Sequence, residues 1–221
     1  YVHGLFRDVF TGVDTRQKKA IPIGELHMLL NKDPQSEKLR RTQAIANLLF
    51  QFCGMPFSDL AHLEKSNLER GLLKYNRTKT GTPMSIEVLE SAQNAIGGLY
   101  NKSDARSSGY PDYLFRILSG AYKRNEEGAY REYQSALRRF NNELKSLSRK
   151  LRLHSPVTSY TLRHSWATTA KYRGVPIEMI SESLGHKSIK TTQIYLKGFE
   201  LEERTKVNKL NYSYVCNFKM L

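Results

Sequence analysis

Five large apolar residues, Leu137, Phe140, Leu144, Leu147 and Leu151, recur at steps of three and four. A helix brings such a series onto one face, so this stripe commits the chain to a long amphipathic helix from about Asn125 to Leu153, buried along one side. Shorter helical patterns precede it at Ile23 to Leu30 and from about Glu37 to Phe52, where Ile45, Leu48, Leu49 and Phe52 keep the same spacing. Gly54 and Pro56 stop the second of these, and Phe57 to Leu63 restarts the pattern. The period then changes. Leu72 to Lys79 and Met84 to Val88 read as short strands meeting at the turn Thr80-Gly81-Thr82-Pro83. Helix resumes at Leu89 to Tyr100, and a polar loop, Asn101 to Gly109, precedes the apolar segment YLFRIL.

Residues 158 to 197 read as three short helices divided by glycines. Thr158 or Ser159 caps the first, which ends at Gly174 before Val175-Pro176; the second ends at Gly185, and Ser188 caps the third. The fold class expected is therefore α+β, mostly helical, with a small antiparallel sheet. Residues 1–20 read as a connector from a further domain, residues 21–210 as one compact domain and residues 211–221 as a tail. From Asn208 that tail keeps Tyr212, Tyr214, Val215, Cys216 and Phe218, too apolar for a solvated terminus. It is expected to dock, either on its own domain or on a neighbouring subunit.

Charge indicates the partner. Lys and Arg number 35 against 21 Asp and Glu, a net charge of +14 on 221 residues, which implies a polyanion and most often nucleic acid. At about 100° per residue, Arg138, Lys145, Arg149 and Arg152 fall within a narrow arc away from the long helix's apolar stripe, where they are candidate DNA-backbone contacts or a solvated face. The sequence has no apolar run of the ~18 residues a membrane-spanning helix needs. Cys53 and Cys216 are too few for a disulfide framework and lack metal-site spacing, so a cytoplasmic protein without a metal or other cofactor is expected.

The glycine-divided region gathers the reactive side chains. Arg163 and His164 lie mid-helix, His186 follows the Gly185 break and Tyr195 comes nine residues later. A guanidinium, an imidazole and a phenol converging there suit phosphoryl transfer without a metal. Arginine gives bidentate hydrogen bonds to phosphate oxygens, histidine moves a proton and tyrosine attacks. A phenol titrates near 10 unperturbed, so nearby cations must favour its anion.

The string TSYTLRHSWATTAKYRGVPIEMISESLGHKSIKTTQIYLK resembles the signature region of the tyrosine recombinases, the phage-integrase family, and more closely that of conjugative-transposon and related mobile-element integrases. The family pattern is H-x-x-R, an L-G-H box and a tyrosine about nine residues on. Arg163 matches its second catalytic arginine, His186 its third-box histidine and Tyr195 its nucleophile. RTKTG looks like the family's β-hairpin, with Lys79 as catalytic lysine, and FCGMPFSDLAHL looks like its first box. The resemblance covers about residues 20 to 200. Two positions depart from it. Pro56 stands where the first-box arginine belongs, and Tyr160 replaces the first histidine of H-x-x-R. Losing one such donor typically costs ~10²- to 10³-fold in rate; Arg41 and Arg77 are the candidates, on position alone, to supply the missing cation. His164 supports the site or fills space beside Trp166, and Asp59 orients neighbouring groups or caps a helix.

The resemblance implies a site-specific recombinase or integrase. Tyr195 would attack a phosphodiester of double-stranded DNA to form a 3′-phosphotyrosyl bond, Lys79 would protonate the leaving 5′-hydroxyl, Arg163 and His186 would hold the phosphate and Tyr160 would add a hydrogen bond. It further implies a tetramer on DNA, possible help from accessory DNA-bending proteins, no metal and no membrane. The alternatives are a DNA-binding module without chemistry, since short helices at glycine breaks also resemble a helix-turn-helix array, and a type IB topoisomerase-like relaxation activity.

Overall fold

The structure, a computed structural model, describes residues 20–100, 110–196 and 201–217. The connector expected at 1–20 and the loop 101–109 therefore lie almost wholly outside the described residues. Helix α1 (Ile23–Asn31) leads into α2 (Glu37–Gln51) and the short α3 (Phe57–Ala61). A sheet follows, made of β1 (Leu68–Glu69), β2 (Leu72–Asn76) and β3 (Pro83–Glu87), antiparallel throughout and ordered β1-β2-β3. Then come α4 (Glu90–Leu99), the long α5 (Glu127–Lys150), α6 (Ser159–Tyr172), α7 (Ile177–Ser183), α8 (Ile189–Tyr195) and α9 (Leu201–Cys216). The mostly helical α+β class is as expected.

Helix α2 is the hub, packing against α1, α4, α5 and α6. Its Leu48 and Leu49 are fully buried in the same core as Phe140, Leu144 and Leu147 of the α5 stripe. Each fully buried side chain of this size contributes about 1.5–3 kcal/mol by leaving water. The segment Tyr113–Leu118 is not helical. Tyr113 bridges Glu64, Phe115 bridges Tyr100, and Tyr113, Leu114, Phe115 and Leu118 are buried in the core.

Helix α5 stops short of Leu153. Leu151 caps it and Arg152 turns to φ 57, so Arg152 stands beyond the helix rather than on its arc. Arg138, Lys145 and Arg149 remain on the face opposite the buried stripe, and all four cations are exposed.

Of the expected apolar tail, Phe218 and the side chain of Tyr214 lie outside the described residues. Helix α9 runs through residue 210, where the domain boundary was expected, and Val207, Leu210, Tyr212 and Val215 are each more than half exposed.

The hairpin and the last helices carry the site. Strands β2 and β3 pair with Leu73 opposite Ile86, both buried, which fixes the register. Arg77 N–H bonds to the Thr82 carbonyl and Gly81 N–H to the Arg77 carbonyl, closing the turn that contains Lys79. Helix α6 starts at a capping box in which Thr158 and Thr161 exchange side-chain and backbone hydrogen bonds, at 2.8 and 3.1 Å. A second, smaller core of Ala167, Ile180, Leu184 and Leu196 joins α6 to α7 and to the end of α8.

Candidate functional site

Arg163 lies one turn into α6 and is buried. Its Nη1 donates to the Gly54 carbonyl at 2.8 Å and its Nη2 to the Leu184 carbonyl at 2.7 Å. Gly54 suits this contact by its conformation and its lack of a side chain. Its φ is +64, and a Cβ would lie 3.1 Å from Trp166 Cβ and 3.3 Å from the Arg163 backbone. The loop following α2 thus lies flat on α6, and the first box reaches the site through a main-chain carbonyl.

The α7–α8 break delivers His186. Its Nε2 stands 3.3 Å from Arg163 Nη2, and its Nδ1 is 2.8 Å from the Thr192 hydroxyl. A guanidinium can only donate, so Nε2 is the acceptor and the ring proton is assigned to Nδ1, where it faces Thr192. Burial, then the charge of Arg163 and then that of Arg77 push the imidazole down to about 4. His186 is therefore neutral near pH 7, with a lone pair on the side of the two arginines.

Arg77, at the end of β2, enters the same place. Its Nε donates to Asp59 Oδ2 at 3.1 Å, and its Nη1 donates to the carbonyls of Leu184 at 2.6 Å and Gly185 at 3.2 Å. Gly185 has φ +64, and a Cβ there would fall 2.4 Å from Arg77 Cδ and 2.7 Å from Met84 Sδ. Asp59 is fully buried, and its Oδ1 also accepts the Thr78 N–H at 3.2 Å. Asp59 thus bonds to the hairpin at two places. Tyr75 lies nearby, and burial together with the charge of Asp59 pushes its phenol well above the ordinary range, so it stays protonated.

Two guanidinium groups therefore donate to a single oxygen, that of Leu184, with the Asp59 carboxylate on the Nε side of Arg77 and a neutral imidazole beside Arg163. Asp59 offsets one of the two like charges and leaves the other, and a phosphodiester, with its delocalised single charge and paired acceptor oxygens, matches what remains.

The other expected residues divide. Lys79 is exposed in the hairpin turn, two residues from Arg77. Tyr160 is 42% exposed in the first turn of α6, three residues before Arg163 and so on the same helix face. Tyr195 closes α8, but its side chain lies outside the described residues. His164 is buried on α6. Arg41 is not brought to the site. It donates to the Arg116 carbonyl and lines a separate cleft with Lys38, Arg116 and Arg139. Thr192 belongs to no motif of the sequence; its one signal is that it lies four before the buried Leu196, hence on the inward face of α8.

The sequence profile of the phage integrase family matches residues 23–201. The chain is 28% identical over 204 residues to a probable integrase/recombinase protein of Methanocaldococcus jannaschii, an alignment covering 89% of this chain and 58% of that protein. It is 30% identical over 190 residues to the tyrosine recombinase XerD of Halalkalibacterium halodurans, covering 81% of this chain and 57% of the relative. The chain thus spans little more than half the length of these curated relatives. A solved structure of the Tn1549 transposon integrase, in complex with a circular intermediate DNA, superposes with a TM-score of 0.61 at 16% identity over 89% of this chain and 67% of that one, a likeness of fold.

Proposed function

The chain belongs to the phage integrase family, and from that premise we propose that residues 21–210 form a catalytic domain that cleaves and rejoins DNA at specific sites. The observation that carries the reading is the contact of Arg163 with a neutral His186, at 3.3 Å, on a loop that leads nine residues later to Tyr195. The phenolic oxygen of Tyr195 attacks the phosphorus of a scissile phosphodiester. The bond to the 5′-oxygen breaks as the phosphotyrosyl ester forms.

The bound phosphate offsets the arginine charges that hold the imidazole down, and Nε2 of His186, released when Arg163 turns to the non-bridging oxygens, then accepts the phenolic proton. Lys79, an exposed cation on a hairpin turn, supplies the proton that the departing 5′-oxygen needs, and Tyr160 adds a hydrogen bond. The ester retains the bond energy, so a 5′-hydroxyl of a second DNA strand reverses the step without ATP. The scheme draws its positive charge from protein side chains alone.

Duplex DNA is the partner this reading requires. The net charge of +14 supports it, as does the circular intermediate DNA bound by the Tn1549 integrase. Assembly as a tetramer on two DNA segments, accessory DNA-bending proteins and a cytoplasmic setting belong to the same proposal. Helix α9, whose Leu210 and Tyr212 are exposed, is then the segment placed to dock on a neighbouring subunit.

The test uses a pool of short synthetic duplexes with randomised sequence around a single nick, so that cleavage releases a fragment and traps the ester. A covalent adduct that survives detergent and disappears in Tyr195→Phe is expected. An intact Tyr195 protein that binds the pool yet forms no adduct overturns the reading in favour of a DNA-binding module. Relaxation of plasmids lacking any selected sequence turns it toward a topoisomerase.

A further inference from the structure

Pro56 has no donor to offer where the resembled pattern places an arginine, yet the site is not short of a second guanidinium. We propose that Arg77, delivered by the hairpin rather than by the first box, is the second phosphate-binding arginine of this site, and that Asp59 is the residue that positions it. The proposal rests on the recombinase reading for its substrate and on three independent features of the structure for its geometry.

The first feature is convergence. Arg77 Nη1 and Arg163 Nη2 donate to one carbonyl oxygen, at 2.6 and 2.7 Å, so the two guanidinium groups lie side by side although 86 residues separate them in the chain. Two permanent cations disfavour each other electrostatically, and the one carboxylate bonded to the pair among the described residues, Asp59, offsets only Arg77. An anion held between them reverses that cost.

The second is the anchoring. Asp59 takes Arg77 Nε on one oxygen and the Thr78 N–H on the other, while the Leu184 and Gly185 carbonyls take Nη1. Arg77 Nη2 takes part in none of these bonds. An arginine held by Nε and one Nη, with the remaining Nη left over, is preorganised to donate to a phosphate oxygen without losing rotamer freedom on binding.

The third is the clearance. Gly185 leaves just the room that the Arg77 stem fills, with Cδ standing 2.4 Å from where a Cβ would be. The charge of Arg77 also reaches the imidazole it would share a phosphate with, being one of the causes of the lowered titration of His186. The first box contributes the carboxylate of Asp59 and the carbonyl of Gly54 in place of a cation. The guanidinium has moved to the hairpin, two residues ahead of Lys79.

The experiment compares the unmodified protein with Arg77→Lys and with the double variant Arg77→Ala/Asp59→Asn, which removes both members of the buried ion pair and so leaves no orphaned charge in the fold. Two readouts are taken. In the first, inorganic phosphate is titrated while the His186 ring resonances are followed by NMR. Bound phosphate raises the titration of His186 in the unmodified protein, and the rise is lost in the double variant. In the second, adduct formation is measured on a nicked duplex recovered from the random pool, made once with an ordinary scissile phosphate and once with a methylphosphonate. Removing one transition-state donor lowers the rate on the phosphate by ~10²- to 10³-fold. On the uncharged methylphosphonate, where no second cation is required, the double variant approaches the unmodified protein, and Arg77→Lys falls between on the phosphate.

A double variant that binds phosphate and cleaves the ordinary duplex within a few-fold of the unmodified protein overturns the proposal. So does an equal loss on both duplexes, because a purely structural role for Arg77 cannot discriminate between them. If the unmodified protein forms no adduct, the recombinase reading fails, and the phosphate titration still decides whether Arg77 binds the anion.

Discussion

The Thr192 hydroxyl stands 2.8 Å from Nδ1 of His186, tying the imidazole to the helix that ends in Tyr195. Thr192 is fully buried, so this bond is a fixed link between the imidazole and α8. Thr192→Val keeps the shape and removes the acceptor, leaving a ring N–H unsatisfied at a cost of about 1–3 kcal/mol. Adduct formation on a nicked duplex is expected to fall by ~10-fold or more on that energy scale, whereas Thr192→Ser, which restores the hydroxyl, recovers most of the rate. A serine variant as slow as the valine one would assign Thr192 to packing alone.

His186 also makes stability depend on pH. An unfolded histidine titrates at about 6.5, while the folded one is pushed down to about 4 by burial and the two arginines. Between those values the unfolded chain binds the extra proton, so stability is lost as pH falls through the window from about 6.5 to about 4 and is unaffected by this group above it. Urea unfolding at steps of pH is expected to show a shallower decline for His186→Gln than for the unmodified protein. Parallel declines would mean that the imidazole titrates normally in the fold.

Salt dependence reports the exposed cations. Arg138, Lys145, Arg149 and Arg152 all face solvent, three of them on the outer face of α5 and the last just beyond its end. If each meets a phosphate, every alanine substitution lowers the slope of log affinity against log salt by about 1, with little sequence preference. Unchanged slopes in fluorescence-anisotropy titrations would assign the face to solvation.

The parts of the fold that were legible in the sequence are those written in local signals. The stripe from Leu137 to Leu151 specified α5, and Thr158, Gly174, Gly185 and Ser188 marked the limits of α6, α7 and α8, because caps and glycine stops act within one turn of chain. Arg163 and His186 were legible as a pair because one short helix and its flanking breaks hold them 23 residues apart. Arg77 could be named but not placed. Its value depends on Asp59, 18 residues back, and on Leu184, 107 residues ahead, and no local pattern records such meetings. The end of α5 was misjudged for a related reason. Leu151 completes the apolar spacing, but the chain has already turned left-handed at Arg152, where the side chain of a helical arc and that of a turn look alike in sequence.

Gly185 offers the sharpest separation of backbone from side-chain effects. Alanine there meets two penalties, a left-handed φ of +64 and a Cβ overlapping the stem of Arg77. The first costs about 1–2 kcal/mol of stability wherever it occurs. The second displaces a guanidinium that Asp59 holds from the other side, and it vanishes once Arg77 is shortened. Gly185→Ala is therefore expected to reduce adduct formation strongly in the unmodified protein and hardly at all in the Arg77→Ala/Asp59→Asn background, while lowering the urea midpoint in both. Coupling of this kind between residues in contact is measured as the departure from additivity in a double-mutant cycle. If the two losses of rate simply multiply, Gly185 acts on His186 or on the backbone of the break, and the contact with Arg77 is incidental.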